Sequence, residues 1–233
     1  MALPDLSKRL LYRDGLLLVI DKPAGIAVHA GPGGGPSLEA GFDSLRFGLP
    51  RPPALAHRLD QDTSGCLALG RNPKALRKLA ALFREGRVEK VYWALVMGAP
   101  PKPEGQLDLA LEKISSRDGG WRMRPADSGG LRASTRWRIL GSGGGLTWLE
   151  LRPLTGRTHQ IRVHCAALGC PILGDPVYAT TRPPSGLRLH LHARSLSLPL
   201  YRSREPVAVT APLPDDMAAT LETRGFALSP EQR

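Results

Sequence analysis

The hydrophobic positions of this chain fall mostly into short runs and alternating stretches, which are patterns typical of strands. Residues 16–20 form an uninterrupted apolar run and predict a buried strand, and residues 65–69 predict a second one. Residues 88–97 predict a third strand, in which successive side chains point to opposite faces. Tyr92 lies in this third segment, so we expect a strand rather than a loop to fix its direction.

Two segments repeat their apolar residues at helical spacing instead. Asn72 followed by Pro73 is a typical helix start, and Gly86 is a typical helix end. The apolar face of this helix is predicted to comprise Leu76, Leu79, Ala80 and Phe83, and its outer face Lys74, Arg77, Lys78 and Arg84. Residues 159–168 predict a second helix, which Gly169 ends.

The other segments carry weaker patterns. We expect a short helix after Pro214 and further strands over residues 107–111, 133–140, 146–151, 187–192 and 207–210. No internal repeat and no clean linker divides the chain. The predicted fold class is therefore α+β, a single domain over residues 1–233 with a mixed, mainly antiparallel sheet flanked by helices and loops.

Composition limits the class of protein. With 233 residues, 42% hydrophobic and 23% charged, the chain is typical of a globular protein. Its longest apolar run, residues 16–20, is far shorter than the roughly 20 residues that span a bilayer, and the N-terminus has no signal-peptide core. We expect a cytoplasmic location. The three cysteines, Cys66, Cys165 and Cys170, predict reduced thiols packed in the core.

Charge indicates a polyanionic partner. The net charge is +11, and residues 71–90 alone hold seven Lys and Arg against two acids. A concentrated cationic surface favours binding to a nucleic-acid backbone through counterion release. The alternative is a generally basic surface with no particular partner. Aromatic residues are only 5% of the chain, which argues against a sheet of base-stacking side chains.

Two motifs carry candidate chemistry. Residues 56–65 place Asp60 in a predicted turn before a strand, and an ionised aspartate there suits nucleophilic or general-base chemistry. Arg58 and Arg162 are the guanidinium groups that we expect to keep it ionised. The alternative is that Asp60 only stabilises the turn. Residues 155–164 add cationic and amide donors at a helix start, namely Arg157, His159 and Gln160.

Other kinds of site fit the residues less well. His159 and His164 are five apart, which is not the spacing of a zinc-binding helix face, and His190 with His192 has no neighbouring acid or cysteine. His57 and Ser64 suggest a hydrolase triad, but no Gly-x-Ser-x-Gly turn is present. No Gly-x-Gly-x-x-Gly follows a strand. We therefore expect neither a metal nor a cofactor.

The motif around Asp60 resembles that of a known enzyme family. His57-Arg58-Leu59-Asp60 with Asp62-Thr63-Ser64-Gly65 is similar to the signature of the RluA family of RNA pseudouridine synthases. Residues 17–25, 90–94, 155–164, 171–175, 192–196 and 206–214 resemble further motifs of that family in the same order. The resemblance covers roughly residues 10–215. It implies an isomerase that detaches uracil from C1′ of its ribose, rotates it and rejoins it through C5.

The resemblance also assigns roles to residues. It implies that Asp60 attacks or deprotonates the ribose, that Tyr92 lines the flipped uracil and assists proton removal from C5, and that Arg162 pairs with Asp60. It implies that Arg58 holds the RNA, that the active-site cleft crosses the sheet, and that no metal or cofactor is used. We expect further RNA contacts from His57, Arg157, His159, Gln160, Lys74, Arg77 and Lys78.

The expected partner is structured RNA, either transfer RNA or ribosomal RNA. The resemblance implies a short, catalytic-domain-only member without a separate N-terminal RNA-binding domain. We expect a monomer with no DNA or membrane partner. Two alternatives stay open at this stage: a non-catalytic RNA-binding module of the same fold, and a metal-dependent RNA hydrolase.

Overall fold

The computed structural model of the protein describes residues 3–31, 34–115 and 120–232. The chain divides into two compact units, one of Met1–Glu89 with Ala193–Pro212 and the other of Lys90–His192 with Leu213–Arg233. The α-helices are α1 (Pro73–Arg84), α2 (Gln160–Ala167) and α3 (Asp215–Thr223). Short 3₁₀ helices cover Leu6–Arg9, Leu38–Leu45 and Pro230–Gln232.

The strands in chain order are β1 (Leu10–Arg13), β2 (Leu17–Lys22), β3 (Ala54–Leu55), β4 (Ser64–Gly70), β5 (Glu89–Met97), β6 (Glu104–Asp108), β7 (Leu111–Ser115), β8 (Trp121–Pro125), β9 (Ser134–Gly143), β10 (Leu146–Pro153), β11 (Leu191–Leu198) and β12 (Val207–Thr210). The strand pairs are antiparallel for β1–β2, β2–β4, β5–β10, β9–β10, β6–β9, β7–β8 and β11–β12. Together with the helices they confirm the predicted α+β class.

The first unit is built around β4. Strand β2 lies beside it in antiparallel register, with Leu17 opposite Gly70 and Lys22 opposite Gly65. On its other side β4 neighbours β11, which in turn pairs with β12. The first strand, β1, pairs with β2. Helix α1 covers this sheet and buries Ala75, Leu79 and Leu82. Since every residue of β4 is buried, the turn before it has a rigid support.

The second unit is built around β5. Its strands follow the order β5-β10-β9-β6, with Tyr92 opposite Leu151. Ala94 and Val96 face a core that includes Ile161 and Cys165 of α2. Side chains on the opposite face of β5 pack against α3, and they include Trp93 and Leu95. The hairpin of β7 and β8 forms a separate two-stranded sheet. The strand predicted for residues 88–97 and its alternation are therefore confirmed.

Two local predictions, the cap of α1 and the buried thiols, are also confirmed. The side chain of Asn72 accepts a hydrogen bond from the backbone N–H of Ala75 at 2.9 Å, as expected of a helix cap. Cys66, Cys165 and Cys170 are buried free thiols, and burial raises the pKa of Cys66 to about 12. In the described part of the chain, no helix has the length and apolarity needed to cross a membrane.

Two predictions of strand bounds are wrong. The strand expected over residues 107–111 is two strands, because β6 pairs with β9 whereas β7 pairs with β8. The strand expected over residues 187–192 begins at Leu191 and continues to Leu198. The predicted apolar face of α1 is confirmed for Leu79, which is buried, and for Leu76 and Phe83, which are partly buried against the same core; Ala75 and Leu82 are buried in addition. One domain over residues 1–233 stays a prediction.

Candidate active site

Asp60 opens the turn that leads into β4. The backbone N–H of Thr63 donates to the carbonyl of Asp60 at 3.2 Å, and the strand begins at Ser64. Gly65 has a φ of 105° and a Cβ there would lie 2.2 Å from the carbonyl oxygen of Ala193, so a side chain cannot be accommodated. Asp60 itself is half-buried. The predicted turn before a strand is confirmed, and it holds the carboxylate on a fixed backbone.

Lys22, at the end of β2, holds the turn through hydrogen bonds. Its Nζ donates hydrogen bonds to three backbone carbonyls, of Pro23 at 2.8 Å, Gln61 at 2.8 Å and Thr63 at 2.9 Å. The side chain is completely buried. An ammonium group has three N–H donors, so this arrangement uses all of them. Two of the three acceptors lie in the Asp60 turn itself, and Lys22 is thus a positioning residue.

The charge of Lys22 is balanced by neighbouring acids. Burial lowers its pKa to about 8, against the opposing effect of the carboxylates of Asp62, Asp60 and Asp21. With its three carbonyl acceptors, the group is mostly an ammonium at neutral pH. Sequence reasoning assigned no role to Lys22. The signal that could have identified it is the Asp21-Lys22-Pro23 turn, which belongs to the resemblance.

Replacing Lys22 with Met is expected to lower the free energy of unfolding by about 2 kcal/mol, because three carbonyl oxygens lose their donor in a buried site. Chemical denaturation measures this change. Lys8→Met is the control, because Lys8 is exposed and its long contact with Asp5 contributes little. Equal stability of the two variants would show that Lys22 does not hold the turn. We also expect Lys22→Met to lower activity at temperatures where it remains folded.

The second unit contributes Tyr92 and Arg162. Tyr92 lies on β5 and is half-buried. Arg162 lies on α2 with its side chain 5% exposed, and its guanidinium makes two parallel hydrogen bonds to Asp175: Nε to Oδ2 at 2.8 Å and Nη2 to Oδ1 at 2.8 Å. The Cζ atom of Arg162 also lies 5.1 Å from the centre of the Tyr178 ring. The guanidinium plane is therefore fixed from within its own unit.

Asp175, which holds Arg162 in orientation, is a second residue to which the sequence analysis assigned no role. It is fully buried and also accepts hydrogen bonds from the backbone N–H groups of Val177 and Tyr178, at 2.9 and 3.0 Å. Burial acts to raise its pKa, but the hydrogen bonds and charge of Arg162 and the two backbone donors outweigh it, so the pKa lies below its usual value. The signal that could have identified it is Gly174-Asp175, which belongs to the resemblance. A Cβ at Gly174 would lie 2.0 Å from the carbonyl oxygen of Arg188, so the position before Asp175 requires glycine.

Comparison with known proteins identifies the family to which the chain belongs. The sequence model of the family described as RNA pseudouridylate synthase matches residues 16–167, more than half of the chain. A protein of Zymomonas mobilis named as an uncharacterized RNA pseudouridine synthase is 48% identical over 213 residues, covering 91% of this chain and 96% of the relative. The chain belongs to the RNA pseudouridine synthase family. Its members of the RluA type are isomerases, as the resemblance implied.

Two further comparisons agree. The ribosomal large subunit pseudouridine synthase D of Nitrosomonas europaea is 38% identical over 226 residues, which cover 92% of this chain and 64% of that protein. The solved structure of human RNA pseudouridylate synthase domain containing 4 superposes with a TM-score of 0.81 at 28% identity, and the match covers 96% of this chain and 95% of that one. The fold of this RNA pseudouridine synthase is thus the fold of its family.

Within this synthase, the motif around Asp60 has both buried and exposed members. The Nε2 atom of His57 accepts a hydrogen bond from the backbone N–H of Ala68 at 3.0 Å, and its ring stacks on Phe83 with centroids 4.2 Å apart. His57 thus ties the motif to β4 and α1, whereas Arg58 is exposed. The outer face of α1 exposes the three expected cations, Lys74, Arg77 and Lys78. Contact of these residues with RNA stays a prediction.

The loop before α2 is organised by Gln160. Its Oε1 accepts hydrogen bonds from Thr155 Oγ1 at 2.7 Å and from the backbone N–H of Arg157 at 3.0 Å, and its Nε2 donates to the carbonyl of Ser134 at 2.9 Å and to Thr135 Oγ1 at 3.0 Å. These contacts give the buried amide a positioning role in the synthase. The guanidinium of Arg157 is exposed, and its contact with RNA stays a prediction together with those of His159 and Gln160.

Among the residues that the structure describes, no group of three or more His, Cys, Asp or Glu side chains could hold a metal ion. His190 bonds the carbonyl of Arg188 and Thr220 Oγ1 through its two ring nitrogens, at 2.8 and 2.9 Å. His164 contacts Thr135 Oγ1 at 2.9 Å. His164 and His190 therefore have hydrogen-bonding roles within the second unit.

Proposed function

We propose that this synthase isomerises one or more uridines of ribosomal or transfer RNA to pseudouridine, with Asp60 as nucleophile or base. The C1′–N1 bond breaks, the uracil rotates, C5 bonds to C1′, and the C5 proton is lost while N1 gains one, so that product and substrate are isomers. Extruding the uridine from its stack costs a few kcal/mol, which favours loops and weak helices.

The observation that carries this proposal is the turn of Asp60, held by Lys22 and followed by a fully buried strand. A carboxylate held on a fixed backbone can meet C1′ of an extruded nucleotide without reorganisation. We assign to Tyr92, on the rigid β5, assistance in removing the C5 proton. To Arg162, which Asp175 holds in orientation, we assign the role of the catalytic arginine that the resemblance implies. Arg58 would hold the RNA.

Release of tritium from RNA that contains 5-tritiated uridine tests the proposal directly. We expect stoichiometric release from ribosomal or transfer RNA, unchanged by a chelator. No release from either RNA, with binding retained, would instead support the alternative of a non-catalytic RNA-binding module. Cleavage of the RNA that stops with a chelator would support a metal-dependent hydrolase. Mapping pseudouridines in total RNA of a deletion strain then identifies the target.

RNA affinity is expected to fall about ten- to a hundredfold between 50 and 200 mM salt, because the basic surface releases counterions from RNA. Changing Lys74, Arg77 and Lys78 together to Gln should lower the slope of log affinity against log salt by about two. Lys8→Gln is the control, since it removes one exposed charge elsewhere. Filter binding at several salt concentrations measures the slope. An equal slope in the triple variant would exclude this face of α1 from the RNA contact.

We also propose a monomer in the cytoplasm with no DNA partner. The relatives from Zymomonas mobilis and Nitrosomonas europaea support a bacterial type of synthase, and the name of the second points to ribosomal RNA as the first substrate to assay. Competition of labelled RNA with duplex DNA of equal length tests the selectivity, and light scattering gives the oligomeric state.

A further inference from the structure

Trp121 is an exposed aromatic residue at the start of β8. Its relative exposure is 45%, whereas Trp93, Trp137 and Trp148 are all buried. An exposed indole presents a flat aromatic surface and an N–H donor that a ligand can contact. The low aromatic content argues against a whole sheet of stacking residues, but one ring is enough to bind one base.

The indole lies on a support that is fixed by hydrogen bonds. Trp121 stacks on the ring of His159, with centroids 5.2 Å apart and planes 24° apart. Nδ1 of His159 lies 2.8 Å from the hydroxyl of Tyr178, and that hydroxyl accepts from the backbone N–H of Met123 at 3.0 Å. His159 has a left-handed backbone, with a φ of 53°. A non-glycine residue in that conformation is uncommon and requires such surrounding contacts.

A cation accompanies the ring. Nζ of Lys113 lies 4.7 Å from the centre of the Trp121 ring. Lys113 is opposite Met123 and Ser115 is opposite Trp121 in the β7–β8 hairpin, so Lys113 and Trp121 share one face. Because the ammonium lies over the ring, a stacking base would displace it from the ring, and the amine could then pair with the phosphate of that nucleotide.

We propose that Trp121 and Lys113 form a nucleotide-binding platform, on which an unpaired base of the RNA substrate stacks while Lys113 contacts its phosphate. This inference rests on the proposed function for the identity of the partner as RNA. The platform is separate from Asp60, Tyr92 and Arg162 in role, because it binds a nucleotide without reacting with it. It would help to select RNA that has an unpaired nucleotide in addition to the target uridine.

The test uses the full chain carrying Asp60→Asn, so that binding is measured without turnover. Probes are an RNA stem-loop with an unpaired uridine-containing loop and a fully paired RNA duplex. We expect the stem-loop to quench tryptophan fluorescence, the duplex to quench it much less, and Trp121→Phe to remove the quenching. Trp121→Ala should weaken binding of the stem-loop about tenfold, and Trp121→Phe less than about threefold, since a phenyl ring still stacks.

Two controls distinguish binding from folding. Leu131→Ala removes another exposed apolar side chain that cannot stack, and it should leave affinity unchanged. If Trp121→Ala alters the melting temperature, Lys113→Gln gives an independent measurement: the slope of log affinity against log salt should fall by about one. Unchanged affinity in Trp121→Ala, or equal losses in Trp121→Ala and Leu131→Ala, would overturn the proposal.

The outcomes are separable from those for the proposed function. Tritium release by the unmodified chain, with no effect of Trp121→Ala on binding, would refute the platform and leave the synthase activity intact. Quenching by the stem-loop, with no tritium release, would keep the platform and refute the activity.

Discussion

Asp60→Asn is expected to lower the rate of pseudouridine formation by about a thousandfold or more, the loss typical of removing an essential catalytic group. Asparagine is similar in size and can keep the turn, but it has no charge with which to attack or deprotonate the ribose. RNA affinity should change less than about threefold, because the exposed cations remain. Tritium release under single-turnover conditions measures the rate, and filter binding measures the affinity.

Asp62→Asn is the matched control for this change. Asp62 lies two residues further along the same turn, is half-buried as Asp60 is, and likewise acts on the charge of Lys22. If Asp60 and Asp62 contributed only their negative charge, the two variants would form pseudouridine equally slowly. We expect Asp62→Asn to keep at least a tenth of the activity. If Asp60→Asn forms pseudouridine about as fast as the unmodified enzyme, another group starts the reaction.

The sequence was sufficient wherever an element depends on its own residues. Asn72 caps α1 as its position before Pro73 predicts, and the alternation in β5 separates Tyr92 from Trp93 because successive side chains leave opposite faces of a strand. The turn of Asp60 likewise follows from local residues. These features require no knowledge of what packs against them.

Features that depend on a distant partner could not be predicted. A run such as residues 107–111 does not reveal that it divides between two sheets, because the pairing strands β9 and β8 decide this. Lys22 meets Gln61 and Thr63 across about forty residues of chain, and Asp175 meets Arg162 across 13 residues. Counting aromatic residues likewise cannot tell that Trp121 is the exposed one.

The pair of Arg162 and Asp175 supports a second large prediction. Asp175→Asn should lower the free energy of unfolding by about 3 kcal/mol, because the variant leaves the buried guanidinium without the carboxylate that its two hydrogen bonds require. The matched control is Asp216→Asn, since the pair of Asp216 with Arg188 is exposed and its loss should change stability by less than about 1 kcal/mol. Chemical denaturation at pH 7 compares the two.

The sign of the pH dependence gives an independent check on the same carboxylate. The pKa of Asp175 is lower in the folded chain than in the unfolded one, so its stabilising contribution is complete above about pH 4 and disappears as the pH falls through the folded pKa. The free energy of unfolding of Asp175→Asn should therefore be lower than that of the unmodified chain at pH 7. This difference in free energy between the two chains should shrink on acidification below about pH 4. If this difference in free energy does not change with pH, the packing of the Asp175 side chain rather than its charge holds Arg162. The rate of pseudouridine formation distinguishes a positioning role from a purely stabilising one: if Asp175 positions Arg162 for the reaction, Asp175→Asn is slower at saturating RNA even where it is fully folded.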